Sequence, residues 1–198
     1  EGAHNTAEFD VSKLLHPGEN ELVAVVHRWC NGTYLECQDK FRFSGIFRDV
    51  YLLTRPDRHI TDYVLETKID GENGILTIRS ESPVDILCEI EGQSITVGAG
   101  KSASVTVGPV TPWTAENPRL YTLTLSAGDE KIVEKIGFRE VTIDGKVFKI
   151  NGVPVKLKGV NRHEFHPDRA ATLRLEDMEN DLRLMKKLNV NAVHTSHY

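Results

Sequence analysis

The chain has 198 residues, 39% of them apolar and 27% charged, the balance of a protein that buries a core rather than one that stays disordered. Lys plus Arg number 24 against 29 Asp plus Glu, and the resulting net charge of −5 argues against a nucleic-acid binder, which needs a basic stripe to displace counterions. No apolar run reaches the ~20 residues of a membrane helix, and Glu1-Gly2-Ala3-His4-Asn5 lacks the basic flank and apolar stretch of a signal peptide. The first residue is not Met, so a piece of something longer is expected.

From the N-terminus to about residue 58 the pattern is that of strands. Residues 9–15 lead into the breaker-rich turn His16-Pro17-Gly18-Glu19-Asn20. Residues 21–29 carry Leu22, Val23, Ala24, Val25 and Val26 in succession, which predicts a strand buried on both faces. Asn31-Gly32 is a hairpin-turn dipeptide; with Thr33 it also forms a glycosylation sequon, relevant only to a protein secreted from a eukaryote. Cys30, Cys37 and Cys88 are an odd number and make no disulfide framework, so reduced thiols are expected. His27, Cys30 and Cys37 match no common zinc spacing. A further strand is predicted over 46–53, alternating Phe47, Val50 and Leu52 with polar neighbours. Two or three strands make no stable sheet alone, so this stretch reads as the end of a β domain whose beginning is missing.

Pro56-Asp57-Arg58 marks a boundary. Seven short alternating segments follow, at 62–69, 75–79, 84–90, 94–97, 103–107, 120–126 and 131–141, with turn signals such as Gly98-Ala99-Gly100 between them. That spacing predicts an immunoglobulin-like sandwich without an inter-sheet disulfide. Trp113 falls in a loop. After Asp144-Gly145, residues 147–150 and 153–157 form a hairpin across Asn151-Gly152, and 158–161 continue as a strand. Leu175, Met178, Leu182, Met185 and Leu188 recur at three and four residues, the stripe of an amphipathic helix. Glu176, Asp177 and Glu179 near its start and Lys186 and Lys187 near its end complement the helix dipole. Residues 190–195 read as a buried strand. Strand, helix and strand make a βαβ unit with a parallel pair. The expected organisation is therefore 1–57, 58–141 and 142–198.

In parallel α/β folds the reacting groups sit at the C-terminal ends of the strands. The first strand here runs out into Asn161-Arg162-His163-Glu164-Phe165-His166 and the second into Ser196-His197-Tyr198, so both polar clusters share one rim. The other reading is that polar βα loops merely cap strands. His163 and His166 are three apart and followed by Pro167, not four apart on a helix as the zinc signature requires. There is no GxGxxG, no GxxxxGK[ST] and no GxSxG.

Lys158-Gly159-Val160-Asn161-Arg162-His163-Glu164, followed by Met185-Lys186-Lys187-Leu188-Asn189-Val190-Asn191-Ala192-Val193 and Ser196-His197-Tyr198, resembles the opening of the catalytic barrel in family 2 glycoside hydrolases. Upstream, Tyr34-Leu35-Glu36-Cys37-Gln38-Asp39 and Ser44-Gly45-Ile46-Phe47-Arg48-Asp49-Val50 resemble the late part of the sugar-binding jelly roll in the β-galactosidase branch. Between them, Asn117-Pro118-Arg119-Leu120-Tyr121 and Gly137-Phe138-Arg139-Glu140-Val141 are similar to the last strands of the intervening sandwich. The motifs stand in the family's order along almost the whole chain.

The resemblance implies a mainly β protein: an immunoglobulin-like β-sandwich flanked by the end of a jelly-roll sugar-binding domain and the first βαβ of a TIM barrel. It implies retaining hydrolysis of terminal β-D-galactosides, with one Glu as acid/base and another as nucleophile. Both belong to later barrel strands, so this segment is expected to hold no catalytic residue and to be inactive alone; Glu164 is neither of the two. By the same resemblance Asp39 reaches the galactose hydroxyls and a sodium ion, and His163 and His197 contact the sugar. The magnesium ligands lie mostly downstream, and the parent is expected to be a homo-oligomer in the cytoplasm or periplasm. Two positions depart from the family. His194 stands where an Arg is usual near the nucleophile, and an imidazole holds a carboxylate's charge less firmly than a guanidinium. Cys37 replaces an acidic residue. The alternatives are a β-glucuronidase or β-mannosidase of the same family, disfavoured by the context of Gln38-Asp39 and residues 45–49, and a non-catalytic carbohydrate-binding module built on the sandwich.

Overall fold

The computed structural model describes residues 6–35 and 45–196. The chain divides into two compact units, Leu52–Lys156 and a second made of Glu1–Tyr51 with Leu157–Tyr198.

The first unit contains the seven expected strands: β1 Tyr63–Asp70, β2 Asn73–Ser80, β3 Ile86–Ile90, β4 Gln93–Val97, β5 Ser102–Val107, β6 Tyr121–Ala127 and β7 Glu130–Ile136. They form a three-stranded sheet, β1-β2-β5, and a four-stranded sheet, β4-β3-β6-β7, with every pair antiparallel. Alternation along each strand sends one set of side chains inward. Leu76 and Ile78 from β2, Ile86 and Cys88 from β3, and Leu123 and Leu125 from β6 are thereby removed from water. Burial pushes the Cys88 thiol up to about 11, which leaves it a protonated, inert core group.

Phe138 lies at the end of this core and is fully buried. It meets Tyr121 edge-to-face at 5.3 Å, and a Cβ on Gly74 would stand 2.4 Å from its ring, so only glycine fits beneath it. The Tyr121 hydroxyl accepts the backbone N–H of Thr111 at 2.8 Å, a tyrosine corner at the start of β6. The predicted strand over 131–141 stops at Ile136, because Ile136 pairs with Tyr121, the first residue of β6, and the ladder has no further rung. The Phe138 carbonyl instead accepts the N–H of Trp113, in its loop, at 2.8 Å.

Two half-buried carboxylates tie elements together. Glu130 accepts Arg55 Nε at 2.9 Å and Nη2 at 2.6 Å, and the Ile60 N–H at 2.7 Å. Burial by itself would raise the Glu130 pKa, but the Ile60 N–H and the Arg55 guanidinium outweigh it and hold the carboxyl below its ordinary range. Glu134 accepts the Tyr63 hydroxyl at 2.6 Å, and burial together with that carboxylate pushes the tyrosine up to about 12.

A small antiparallel sheet follows in the same unit, in the order β10-β9-β8, from β8 Val141–Asp144, β9 Val147–Ile150 and β10 Val153–Pro154. Asn151 and Gly152 have φ of 50° and 76°, the left-handed pair of a two-residue hairpin turn, as the dipeptide predicts.

In the second unit, β11 Gly159–Arg162, α1 Leu175–Lys187 and β12 Ala192–Thr195 form the expected βαβ, with β11 and β12 parallel. Asp177 caps α1 by accepting the Arg174 N–H at 2.8 Å, and Asn189 at φ 59° ends it. Four expectations fail outside the sandwich. The strand over 190–195 is present but not buried, since Val193 remains 43% exposed and β11 is its one partner strand among the described residues. The segment over 21–29 is no strand: Leu22 and Val25 are 76% and 77% exposed, and residues 46–53 are likewise irregular. A strand must satisfy its backbone N–H and C=O groups on a neighbour, and no described residue offers one. Asn31-Gly32 opens a 3-10 turn, Asn31–Tyr34, rather than a hairpin.

Candidate functional site at the ends of the parallel strands

The register of the parallel pair sets the site. Asn161 stands opposite His194 and Arg162 opposite Thr195, and the Ser196 N–H extends the ladder to the Arg162 carbonyl at 3.0 Å. The two strands therefore end side by side, with His163 next after one and Ser196 next after the other. Arg162 reaches Asp181 on α1 through Nε at 3.0 Å and Nη2 at 2.9 Å, which marks its face as the helix side. By alternation Asn161, His163, His194 and Ser196 share the opposite face. His163 is half-buried and Ser196 fully buried. No signal in the sequence singled out Ser196 beyond its place beside His197.

The β11–α1 loop is held from several directions. His166 and Ala170 exchange backbone hydrogen bonds of 2.8 and 2.9 Å, closing a tight turn with Ala170 at φ 50°. The Arg169 guanidinium donates to Asp177, whose carboxyl also lies 3.8 Å from His166 Nε2. The Arg169 hydrogen bond, then that of the Arg174 N–H, holds Asp177 below the usual carboxylate range. Glu164 receives Arg48 Nη2 at 2.7 Å, and the Thr172 hydroxyl donates to the Phe47 carbonyl at 3.1 Å.

The structure thus brings His163 and the strand bearing His194 to one rim. Asp39 and His197 lie outside the described residues, as does Cys37. The rim offers imidazoles that can donate hydrogen bonds to hydroxyl groups. Among the described residues no cluster of three or more His, Cys, Asp or Glu is arranged to hold a metal ion. No helix of the structure is long and apolar enough to cross a membrane. A separate open groove of about 610 Å³ on the sandwich is lined by Leu65, Trp113, Leu120 and Arg139 among others. Arg139 lies 4.7 Å over the Trp113 ring and covers that aromatic face.

Comparison with known proteins places these elements. The sugar-binding domain of the glycosyl hydrolases family 2 matches residues 1–56, the family's middle domain matches 58–139, and its TIM barrel domain matches 141–198. The chain is 42% identical over 204 residues to a β-galactosidase of Actinobacillus pleuropneumoniae, covering 99% of this chain and 20% of that protein. It is 41% identical over 202 residues to a β-galactosidase of Arthrobacter sp. (strain B7), covering 100% of this chain and 20% of that protein. It spans about a fifth of the length of these relatives. Among solved structures, a β-glucuronidase from Ruminococcus gnavus aligns over 72% of this chain and 27% of its own, with a TM-score of 0.64 and 25% identity. Three domain matches of one family follow one another along the chain in the order of its motifs, and the chain belongs to the family 2 glycosyl hydrolases.

Proposed function

We propose that this chain serves a retaining β-galactosidase, supplying the end of the sugar-binding domain (1–57), the sandwich (58–141) and the opening of the catalytic barrel (142–198). The observation that carries the reading is the parallel β11–β12 pair, with His163 directly after β11; barrel enzymes bind substrate at the ends of such strands, which supports His163 as a sugar contact. The identity of about 40% to β-galactosidases over the whole chain supports galactose as the sugar. In this reading Asp39 meets the galactose hydroxyls and a sodium ion, His163 and His197 donate to the sugar, and His194 faces the nucleophilic Glu. The two carboxylates, the magnesium ligands, the homo-oligomeric assembly and the cytoplasmic location belong to the same proposal. Magnesium would supply positive charge beside the acid/base carboxyl.

Turnover by the full-length protein tests it. An aryl β-galactoside should be hydrolysed with retention, a chelator should lower the rate, and the 198-residue segment alone should show none. The likeness to a β-glucuronidase favours a second reading within the family, and an aryl β-glucuronide decides between them. Preference for the glucuronide, or turnover by the segment, would overturn the first reading. The carbohydrate-binding module is less well supported, because Arg139 occupies the Trp113 face on which a sugar would stack.

His197→Ala in the full-length enzyme should lower kcat and kcat/KM together by roughly 100- to 1000-fold, the usual effect of losing one transition-state donor. Folded protein should be little reduced. An unchanged kcat per folded molecule, with a lower denaturant midpoint, would make His197 a strand cap instead.

A further inference from the structure

We propose that Arg48 and Glu164 form a clasp that sets the sugar-binding segment against the barrel rim, which makes Arg48 a positioning residue for the sugar pocket. The inference rests on the β-galactosidase reading for its pocket and on the structure for its geometry. Arg48 Nη2 lies 2.7 Å from Glu164 Oε2, joining residues 116 apart in sequence. The other end of the same loop makes a second tie, from the Thr172 hydroxyl to the Phe47 carbonyl at 3.1 Å. Two adjacent residues of the sugar-binding segment thus grip the β11–α1 loop near both of its ends. The Arg48 guanidinium is itself steadied, since it stands 5.9 Å over the Phe47 ring.

In sequence, both ends of the clasp lie near residues that this reading assigns to the pocket. Glu164 follows His163 directly, and Asp39 precedes Arg48 by a short stretch of chain. Arg48 is 61% exposed, and an ion pair so open to water adds little stability. Its effect is orientation: a displacement of about 1 Å between groups that must meet one sugar costs up to about 100-fold. Within itself the loop is closed by the His166–Ala170 bridge and by Arg169 with Asp177, and the Arg48 and Thr172 contacts join it to the sugar-binding segment.

Charge reversal in the full-length protein tests the clasp. Arg48→Glu and Glu164→Arg should each raise KM roughly tenfold while kcat stays within about twofold. The double reversal should recover most of the loss. Amide exchange supplies a readout free of activity: peptides covering 45–51 and 163–172 should exchange faster in each single variant and return toward wild type in the double. Unchanged KM and exchange in both single variants would overturn the proposal, as would a double variant no better than either single. If the wild-type protein hydrolyses no aryl β-galactoside, the β-galactosidase reading fails, and the exchange pattern of the double variant still decides whether the clasp exists.

Discussion

Leu76, Ile78, Leu123 and Leu125 in the sandwich and Leu175, Leu182 and Leu188 on and beside α1 are chemically alike. The first four are fully buried and the last three are half or more exposed. Every fully buried apolar side chain among the described residues lies between Ile60 and Phe138. A hydrophobic period names a face but not what covers it. In the sandwich the covering face comes from the same seven strands, so the unit closes on itself. The stripe on α1 and the apolar residues 22–26 are equally well formed, and nothing described in this chain closes over them. This chain spans about a fifth of the length of the β-galactosidases it is similar to.

This contrast predicts unequal costs for equal truncations. Phe138→Ala should destabilise the sandwich by about 3–5 kcal/mol, read as a fall in its denaturant midpoint. A loss below about 1 kcal/mol would mean that the ring does not fill the space between Gly74 and Tyr121. Acid should act next. Glu130 has a folded pKa below its unfolded value, so its contribution is complete above the unfolded pKa of about 4.3 and is lost as pH falls through the folded value. The unfolding temperature of the sandwich should therefore drop below about pH 4.5, and less steeply in Glu130→Gln. Equal slopes in the two proteins would remove Glu130 as the cause. Leu182→Ala should change the stability of the 198-residue chain by under about 0.5 kcal/mol, as expected at an exposed position. The same change in the full-length protein should cost about 2–5 kcal/mol once the helix packs on a closed barrel. A large cost in the short chain would show that the stripe already has a partner.

Seven strands of the sandwich were legible because inside and outside alternate along each one and turn residues separate them. The break between β7 and β8 was not, since it is set by where β6 begins rather than by any residue from 137 to 140. The βαβ unit and its parallel pair were legible from the change in period, and with them the place of His163 and His194. Residues 21–29 misled for the opposite reason. Their β-branched run specifies a strand that needs neighbours, and a sequence carries the preference without the partner. The Arg48–Glu164 and Arg55–Glu130 pairs left no trace in the pattern, because an ion pair between residues 116 or 75 apart has no period.

The pin made by Glu130 also decides how the sandwich bears load. Ile60 and Arg55 precede β1, an edge strand of the three-stranded sheet, yet they are bonded to the first residue of β7 in the other sheet. Tension entering along the chain from the sugar-binding side therefore reaches both sheets together. It pulls across the ladder of β6 and β7 in shear before it can peel β1 from β2 one rung at a time. In a pulling experiment the detachment of β1 should follow, and not precede, the release of Glu130.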